Sequence, residues 1–210
     1  MPLIQSSNDS SHTHLIWHCS EDANFFHSKL NLTNYELDIL EKRKNSKKAL
    51  EFLCSRLLLR LSKLDPNDLS YNEFGAPILK SGKFISISHC QNYITLLFSN
   101  QSCGVDIETK RKQILNIKHK FLNQTDINNI SVENISDITL IWTLKEAIYK
   151  LFQCPEIDFK DQIFVSTIDI KNNLANAYVD VNGSITNLIC KFQINKEYIC
   201  SKVFIDDGLY

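Results

Sequence analysis

The sequence predicts an α+β protein built from two halves in tandem. Segments with apolar residues at helical intervals lead into short runs of alternating or continuous apolar residues, and this order occurs twice. Helices followed by an antiparallel sheet form an α+β pattern. With 210 residues, of which 43% are hydrophobic, the chain can bury a substantial core as one domain or as two compact halves.

The composition argues against several classes of partner and site. Lys and Arg total 23 against 24 for Asp and Glu, so no overall field draws the chain to nucleic acid or to a membrane. The cysteines are scattered without a C-x-x-C pair, which supports neither a disulfide framework nor a zinc site. The amino terminus lacks the order of a signal peptide, and no apolar run approaches the roughly 20 residues of a membrane span. We expect a cytoplasmic protein.

The first half is predicted to begin with a disordered lead, followed from His14 by the strand "HLIWHC". Thr33 and Glu36 have the spacing of a capping box at the start of a helix. The segment "NSKKALEFLCSRLLLRLSKL" has apolar residues at helical intervals, and Pro66 stops it. A Gly-x-Pro turn in "YNEFGAPIL" then leads to a hairpin of two strands, "KFISISHC" and "YITLLFSN".

The second half is predicted to repeat this order after the strand "CGVDIE". Helical material spans "QILNIKHKFLNQTDINNI" and "DITLIWTLKEAIYKLFQ". The strands "FVSTIDI", "NAYVDV", "LICKFQI" and "YICSKVFI" follow, with a strong hairpin turn at Asn182-Gly183. The predicted subdomains are residues 1–102 and 103–210.

Acidic side chains leave the strand "CGVDIE" from one face. Asp106 and Glu108 alternate with apolar residues, and two neighbouring carboxylates repel each other and resist desolvation unless a cation lies between them. In "IWTLKEAIYK", Glu146 and Lys150 are four residues apart and share a helix face. Either pair alone is more often an exposed surface pair, but the many apolar neighbours of Glu146 and Lys150 favour a cleft.

Taken together, these acids indicate a magnesium site. Asp106, Glu108 and Glu146 supply the oxygen ligands that Mg²⁺ prefers. Lys145 and Lys150 would lie beside the metal, where a phosphate substrate needs positive charge.

Four ordered segments resemble the signature of the 4′-phosphopantetheinyl transferases. Residues 104–108 match the family's G-[IV]-D-x-E, and residues 142–150 match its W-[ST]-x-K-E-[AS]-x-x-K. Upstream, "YNEFGAPIL" resembles N-x-x-G-K-P-x-[IL], with Ala76 where the family commonly has Lys, and "ISISHC" resembles [FI]-x-[IL]-S-H-S.

This resemblance implies a fold and a reaction. The fold would be two similar α+β subdomains in a monomer, with the active site at their interface. The reaction would transfer 4′-phosphopantetheine from coenzyme A to a serine of an acyl or peptidyl carrier protein, with Mg²⁺ as cofactor, and release adenosine 3′,5′-bisphosphate. Such transfer serves fatty acid, polyketide or nonribosomal peptide synthesis.

The resemblance also implies catalytic roles. Asp106, Glu108 and Glu146 would hold Mg²⁺, while Lys150 would neutralise the pyrophosphate with support from Lys145. The base that takes the serine proton is either Glu146, acting through a water, or Asp126. Asp126 stands where the family usually has a Glu, and its side chain is one methylene shorter.

Coenzyme A contacts are implied in the first half. His89 would donate to a phosphate, with Ser88 beside it. The basic run "EKRKNSKK" contains Lys44 and offers three preferred residues for the 3′-phosphate, namely Arg43, Lys47 and Lys48.

The carrier protein is expected to be acidic around its modified serine. The segment "ETKRKQILNIKHKFL" is locally basic in a neutral chain, so we expect docking near Arg111, Lys112, Lys118 and Lys120.

Two other functions remain open from the sequence. A metal-dependent nuclease could use Asp106, Glu108 and Lys110, but no Asp or Glu lies between Glu73 and Asp106 and the chain is not basic overall. A non-catalytic carrier-binding module would not need three convergent carboxylates and two lysines.

Overall fold

The computed structural model describes residues 3–8, 11–43, 45–153 and 156–206. The chain divides into two compact units, residues 1–100 and 101–210. Helices and antiparallel sheets occur in both units, so the predicted α+β class is confirmed. In the described ranges, no helix is both long enough and apolar enough to span a bilayer.

The first unit contains an antiparallel sheet in the order β1-β2-β6-β5. Its strands are β1 (Leu3–Asn8), β2 (His12–His18), β5 (Phe84–Cys90) and β6 (Tyr93–Ser99). Between β2 and β5 lie the helices α1 (Ala23–Lys29), α2 (Asn34–Glu41) and α3 (Ser46–Leu61). A 3₁₀ helix (Pro66–Asp68) then leads into a small hairpin of β3 (Leu69–Tyr71) and β4 (Pro77–Leu79).

Several local predictions for this unit are confirmed. The Thr33 hydroxyl accepts a hydrogen bond from the Glu36 amide at 3.2 Å, and the Glu36 carboxylate accepts one from the Thr33 amide at 2.9 Å, which completes the capping box of α2. Helix α3 ends at Leu61, before Pro66. Strands β5 and β6 form the expected hairpin.

Two features of the first unit differ from the predictions. The prediction of a disordered lead is wrong, because this segment contains β1, which pairs antiparallel with β2. An edge strand needs one partner only and can keep polar side chains in solvent, so the polar composition of this segment concealed it. Helix α1 was not predicted at all. Its seven residues are too few for a helical period to be evident, although Asp22 caps it and Phe26 is buried.

The second unit has an antiparallel sheet in the order β7-β11-β10-β9-β8. Its strands are β7 (Cys103–Thr109), β8 (Ile163–Asp169), β9 (Leu174–Val181), β10 (Ser184–Ile194) and β11 (Tyr198–Ile205). Its helices are α4 (Ile114–Ile117), α5 (Gln124–Ile127) and the long α6 (Ile135–Phe152), with a 3₁₀ helix at Lys118–Lys120. The first predicted helical span is therefore broken into short pieces.

The predicted turn at Asn182-Gly183 is confirmed. The two residues have φ angles of 54° and 85°, the left-handed values that a tight two-residue hairpin requires.

The two units share one topological core. In each unit a strand that precedes the helices, β2 or β7, pairs with the last strand, β6 or β11, and this last strand pairs with the strand before it. The longest helix packs on the first two of these strands: α3 contacts β2 and β6, and α6 contacts β7 and β11. In the second unit this packing brings the two segments that carry the predicted acids together.

Candidate active site

Strand β7 and helix α6 are in unusually close contact at Gly104. A Cβ atom added there would lie 1.9 Å from the Ala147 carbonyl oxygen and 2.9 Å from the Leu151 amide nitrogen. Only glycine allows this approach of two backbones. Because alternate residues of a strand share a face, Gly104, Asp106 and Glu108 all lie on the α6 side of β7.

Lys150 of α6 contacts Asp106 of β7. The Lys150 ammonium nitrogen lies 2.6 Å from Oδ1 of Asp106, whose side chain is 4% exposed. Glu108, two residues along the strand, pairs with Arg111 at 3.1 Å. Two of the three predicted metal ligands therefore already contact a basic side chain.

Glu146 completes the acidic group. Burial, the Asp106 carboxylate and, more weakly, Glu108 raise the pKa of Glu146 to about 7, while Lys150 opposes the shift. Burial and neighbouring negative charges disfavour the ionised form of a carboxyl group, and a cation bound beside the group stabilises that form. The donor set therefore suits a hard divalent cation. Among the described residues, however, no three such side chains are gathered closely enough to form a finished metal cage.

Lys145 and Asp126 do not join this acidic group. Both are fully buried, and their side chains pair at 2.6 Å. The Lys145 ammonium also donates to the carbonyl oxygens of Phe121, Phe159 and Ile163 at 2.7–2.8 Å. Burial lowers the pKa of Lys145, and Asp126 counters that shift.

These positions argue against two predicted roles. A carboxylate with no exposed surface, already bonded to the Lys145 ammonium and to the amides of Asn123 and Val165, is not placed to take a proton from an incoming serine. Nor does an ammonium that donates to three carbonyl oxygens and a buried carboxylate suit a phosphate. The pair instead joins α5, α6 and the start of β8.

A pocket of about 190 Å³ in the first unit contains two of the predicted coenzyme A residues, Arg43 and His89. Its wall includes Tyr71, Gly75 and Pro77 of the small hairpin. Within the described residues, the buried Nε of Arg43 has no hydrogen-bond acceptor, and the Arg43 guanidinium lies 5.0 Å above the ring of Phe52. An arginine with an unused donor at a pocket wall suits an anionic ligand.

The other predicted coenzyme A residues lie elsewhere. Ser88 is buried on the face of β5 opposite His89, because successive strand residues point to opposite faces. Lys47 and Lys48 are exposed on the first turn of α3. Lys44 lies outside the described residues.

Sequence reasoning missed Glu51, an acid in the wall of the same pocket. Its only sequence signal is a spacing of four residues after Lys47, which is common on exposed helix faces.

Comparisons with known proteins bear on the second unit. The family model described as the 4′-phosphopantetheinyl transferase superfamily matches residues 102–201. The second unit is therefore similar to the 4′-phosphopantetheinyl transferase superfamily, over just under half of the chain. The curated protein 4′-phosphopantetheinyl transferase Sfp of Bacillus subtilis (strain 168) is 24% identical over 108 residues, which is 48% of this chain and 48% of that protein. The aligned part thus spans about half of this relative.

The superfamily match contains both β7 and α6, and hence all the residues that face one another across Gly104. It also contains the basic segment predicted for carrier docking. There, Lys118 donates to the Val132 carbonyl at 2.7 Å and pairs with Glu133 at 2.8 Å, whereas Lys112 and Lys120 are exposed. A second pocket, of about 280 Å³, lies between α4 and α6 beside Glu108, with Trp142 in its wall.

Proposed function

We propose that this chain transfers 4′-phosphopantetheine from coenzyme A to a serine of an acyl or peptidyl carrier protein, which is holo-[acyl-carrier-protein] synthase activity. The observation that carries the proposal is the meeting of Asp106 and Glu108 on β7 with Glu146 and Lys150 on α6, inside the segment that matches the superfamily. Three acids beside a lysine are the groups that a metal-assisted attack on a pyrophosphate requires.

Asp106, Glu108 and Glu146 would hold Mg²⁺, which when bound neutralises the pyrophosphate oxygens. To admit the metal, Lys150 and Arg111 must loosen their contacts with Asp106 and Glu108. The Lys150 side chain is 28% exposed. Because it is not enclosed by the core, its ammonium can turn from Asp106 to a phosphate oxygen.

In the proposed reaction, the serine oxygen forms a bond to the phosphorus that bears pantetheine. The bond from that phosphorus to the bridging oxygen breaks, and adenosine 3′,5′-bisphosphate leaves with the electron pair. We assign the serine proton to Glu146, acting through a water, because the other candidate, Asp126, is fully buried and paired with Lys145. Asp126 is not proposed for this step.

We place the coenzyme A nucleotide at the pocket of the first unit, with Arg43 and His89 as its phosphate contacts. Lys47 and Lys48 stay as candidates for the 3′-phosphate. The carrier would dock at Lys112 and Lys120, two exposed members of the basic segment. Arg111 is less suitable as a docking residue, because its guanidinium pairs with a predicted metal ligand.

The test is incubation with coenzyme A, an apo carrier protein and Mg²⁺. We expect the intact mass of the carrier to increase by one phosphopantetheine while adenosine 3′,5′-bisphosphate appears in equal amount. Asp106→Ala should abolish both products and keep the fold. Cleavage of nucleic acid, or carrier binding without a mass increase, would instead favour one of the two rival functions.

A further inference from the structure

The pocket of the first unit contains a carboxylate that the proposed phosphate contacts do not explain. Oε1 of Glu51 lies 3.6 Å from Nδ1 of His89 and 4.0 Å from the Lys47 ammonium. The Glu51 side chain is only 12% exposed, whereas those of His89 and Lys47 are 56% and 59% exposed. Glu51 is therefore much more buried than either basic group that it contacts.

An exposed ion pair with Lys47 is too weak to account for Glu51. Pairs of this i,i+4 kind contribute about 0.3–0.5 kcal/mol. Burying most of a carboxylate costs more than that unless other groups contact it. Coulomb's law also makes Glu51 unfavourable in a pocket for a polyanion, because its charge repels phosphate. A favourable role must therefore act through a neighbour, and His89 is the nearer one.

The chemistry of imidazole specifies that role. The hydrogen bond or ion pair made by one ring nitrogen determines which nitrogen is presented to a ligand. With Nδ1 of His89 directed at Glu51, Nε2 is the nitrogen left for the pocket. An imidazolium between a carboxylate and a phosphate is attracted to both, and its Nε2–H can donate to the phosphate.

We propose that Glu51 is a positioning residue that orients His89, so that Nε2 of the ring is presented to a phosphate of coenzyme A. The proposal rests on the proposed function. The other described charged or titratable groups of the pocket wall are Arg43, which precedes α3, and the Tyr71 hydroxyl on β3, while Lys47 on α3 lies beside Glu51. Arg43 and Lys47 are cations, and Tyr71 accepts a hydrogen bond from Arg56 at 2.6 Å, so Glu51 is the only acid among these groups.

The direction in which one substitution changes coenzyme A affinity distinguishes a positioning role from a purely electrostatic one. Removal of a negative charge from a phosphate pocket should tighten coenzyme A binding if only the Coulomb term counts. If Glu51 orients His89, Glu51→Gln should weaken binding by about tenfold, a typical size for coupling between residues in contact. Asp38→Asn removes an exposed negative charge from α2 and serves as the matched control, with unchanged affinity expected.

A double-mutant cycle read by calorimetry with coenzyme A completes the test. In the His89→Ala background, Glu51→Gln should cause no further loss, because the residue that it positions is gone. An equal loss in both backgrounds, or tighter binding by Glu51→Gln alone, would overturn the proposal.

A measurement without coenzyme A distinguishes this failure from failure of the proposed function. Long-range ¹H–¹⁵N NMR of the His89 ring should find the Nδ1 proton in the wild type and a changed balance of the two ring nitrogens in Glu51→Gln. An unchanged ring spectrum would contradict the positioning role. A wild type that binds no coenzyme A would contradict the proposed function instead.

Discussion

Gly104→Ala should separate the two elements that carry the charges of the proposed active site. The new methyl group would lie 1.9 Å from the Ala147 carbonyl oxygen, whereas ordinary van der Waals contact begins at 3.4 Å. Either α6 or β7 must therefore move by about 1.5 Å, the difference between these distances. Since β7 carries Asp106 and α6 carries Lys150, the 2.6 Å contact between them would be strained or lost.

Two magnitudes follow for Gly104→Ala. Overpacking by one methyl group typically costs about 1–3 kcal/mol of unfolding free energy, which for a chain of this size lowers Tm by about 2–12 °C. A displacement of about 1 Å at a catalytic group can reduce turnover by about 100-fold. We therefore expect a folded but nearly inactive enzyme. The assays are thermal unfolding and the transfer of phosphopantetheine to a carrier.

Two control variants identify the cause of the loss. Ala147→Gly in the same chain should not restore activity, because the obstructing atom is a backbone oxygen that glycine retains. Gly82→Ala should reduce stability by about 1–2 kcal/mol through its φ of +80° and leave transfer unchanged, since no atom lies within 4 Å of its added Cβ. Wild-type turnover and Tm in Gly104→Ala would refute the reasoning.

Three further predictions concern charged side chains. Lys145→Met should lower the free energy of unfolding in urea by about 3–5 kcal/mol, because it leaves the buried charge of Asp126 without its cation; a loss below 1 kcal/mol would contradict this. The raised pKa of Glu146 gives stability that is present below about pH 4.5 and lost as pH rises through about 7. Stabilisation by Mg²⁺ in scanning fluorimetry should consequently be larger at about pH 8 than at about pH 5.5, and absent in Glu146→Gln. Lys112→Glu with Lys120→Glu should raise KM for the carrier severalfold, less so at high salt, and leave KM for coenzyme A unchanged.

Local patterns predicted the elements that rest on local chemistry. The capping box at Thr33, the stop before Pro66 and the hairpin turn at Asn182 each depend on a few neighbouring residues, and each is present. Polar strand β1 and short helix α1 were missed because neither shows a clear apolar period, and each depends on a neighbouring element: β1 pairs with β2, and α1 packs against α3.

The features of the site that the sequence could not predict depend on contacts between side chains in the folded chain. Nothing in the run of residues around Asp126 shows that this side chain is buried against Lys145, or that Arg111 pairs with Glu108. Sequence spacing shows which residues share a face of one element, but not which element covers that face. A role assigned to a charged residue from sequence alone therefore has to be checked against the structure, which shows whether the side chain is buried and which group it contacts.

The two lysines of α6 show how one helix can supply both a core contact and a charge at the candidate active site. At 3.6 residues per turn, Lys150 lies only about 40° around the helix from Glu146, whereas Lys145 lies about 100° away on the other side. That rotation directs Lys150 towards β7 and its acids, and directs Lys145 into the core beneath α5. The buried lysine is tied to four oxygen atoms, so it fixes the rotation of α6 about its axis. Fixing that rotation also fixes the side of the helix from which Glu146 and Lys150 project. Loss of Lys145 should therefore impair turnover by misdirecting Glu146, although Lys145 itself touches no substrate.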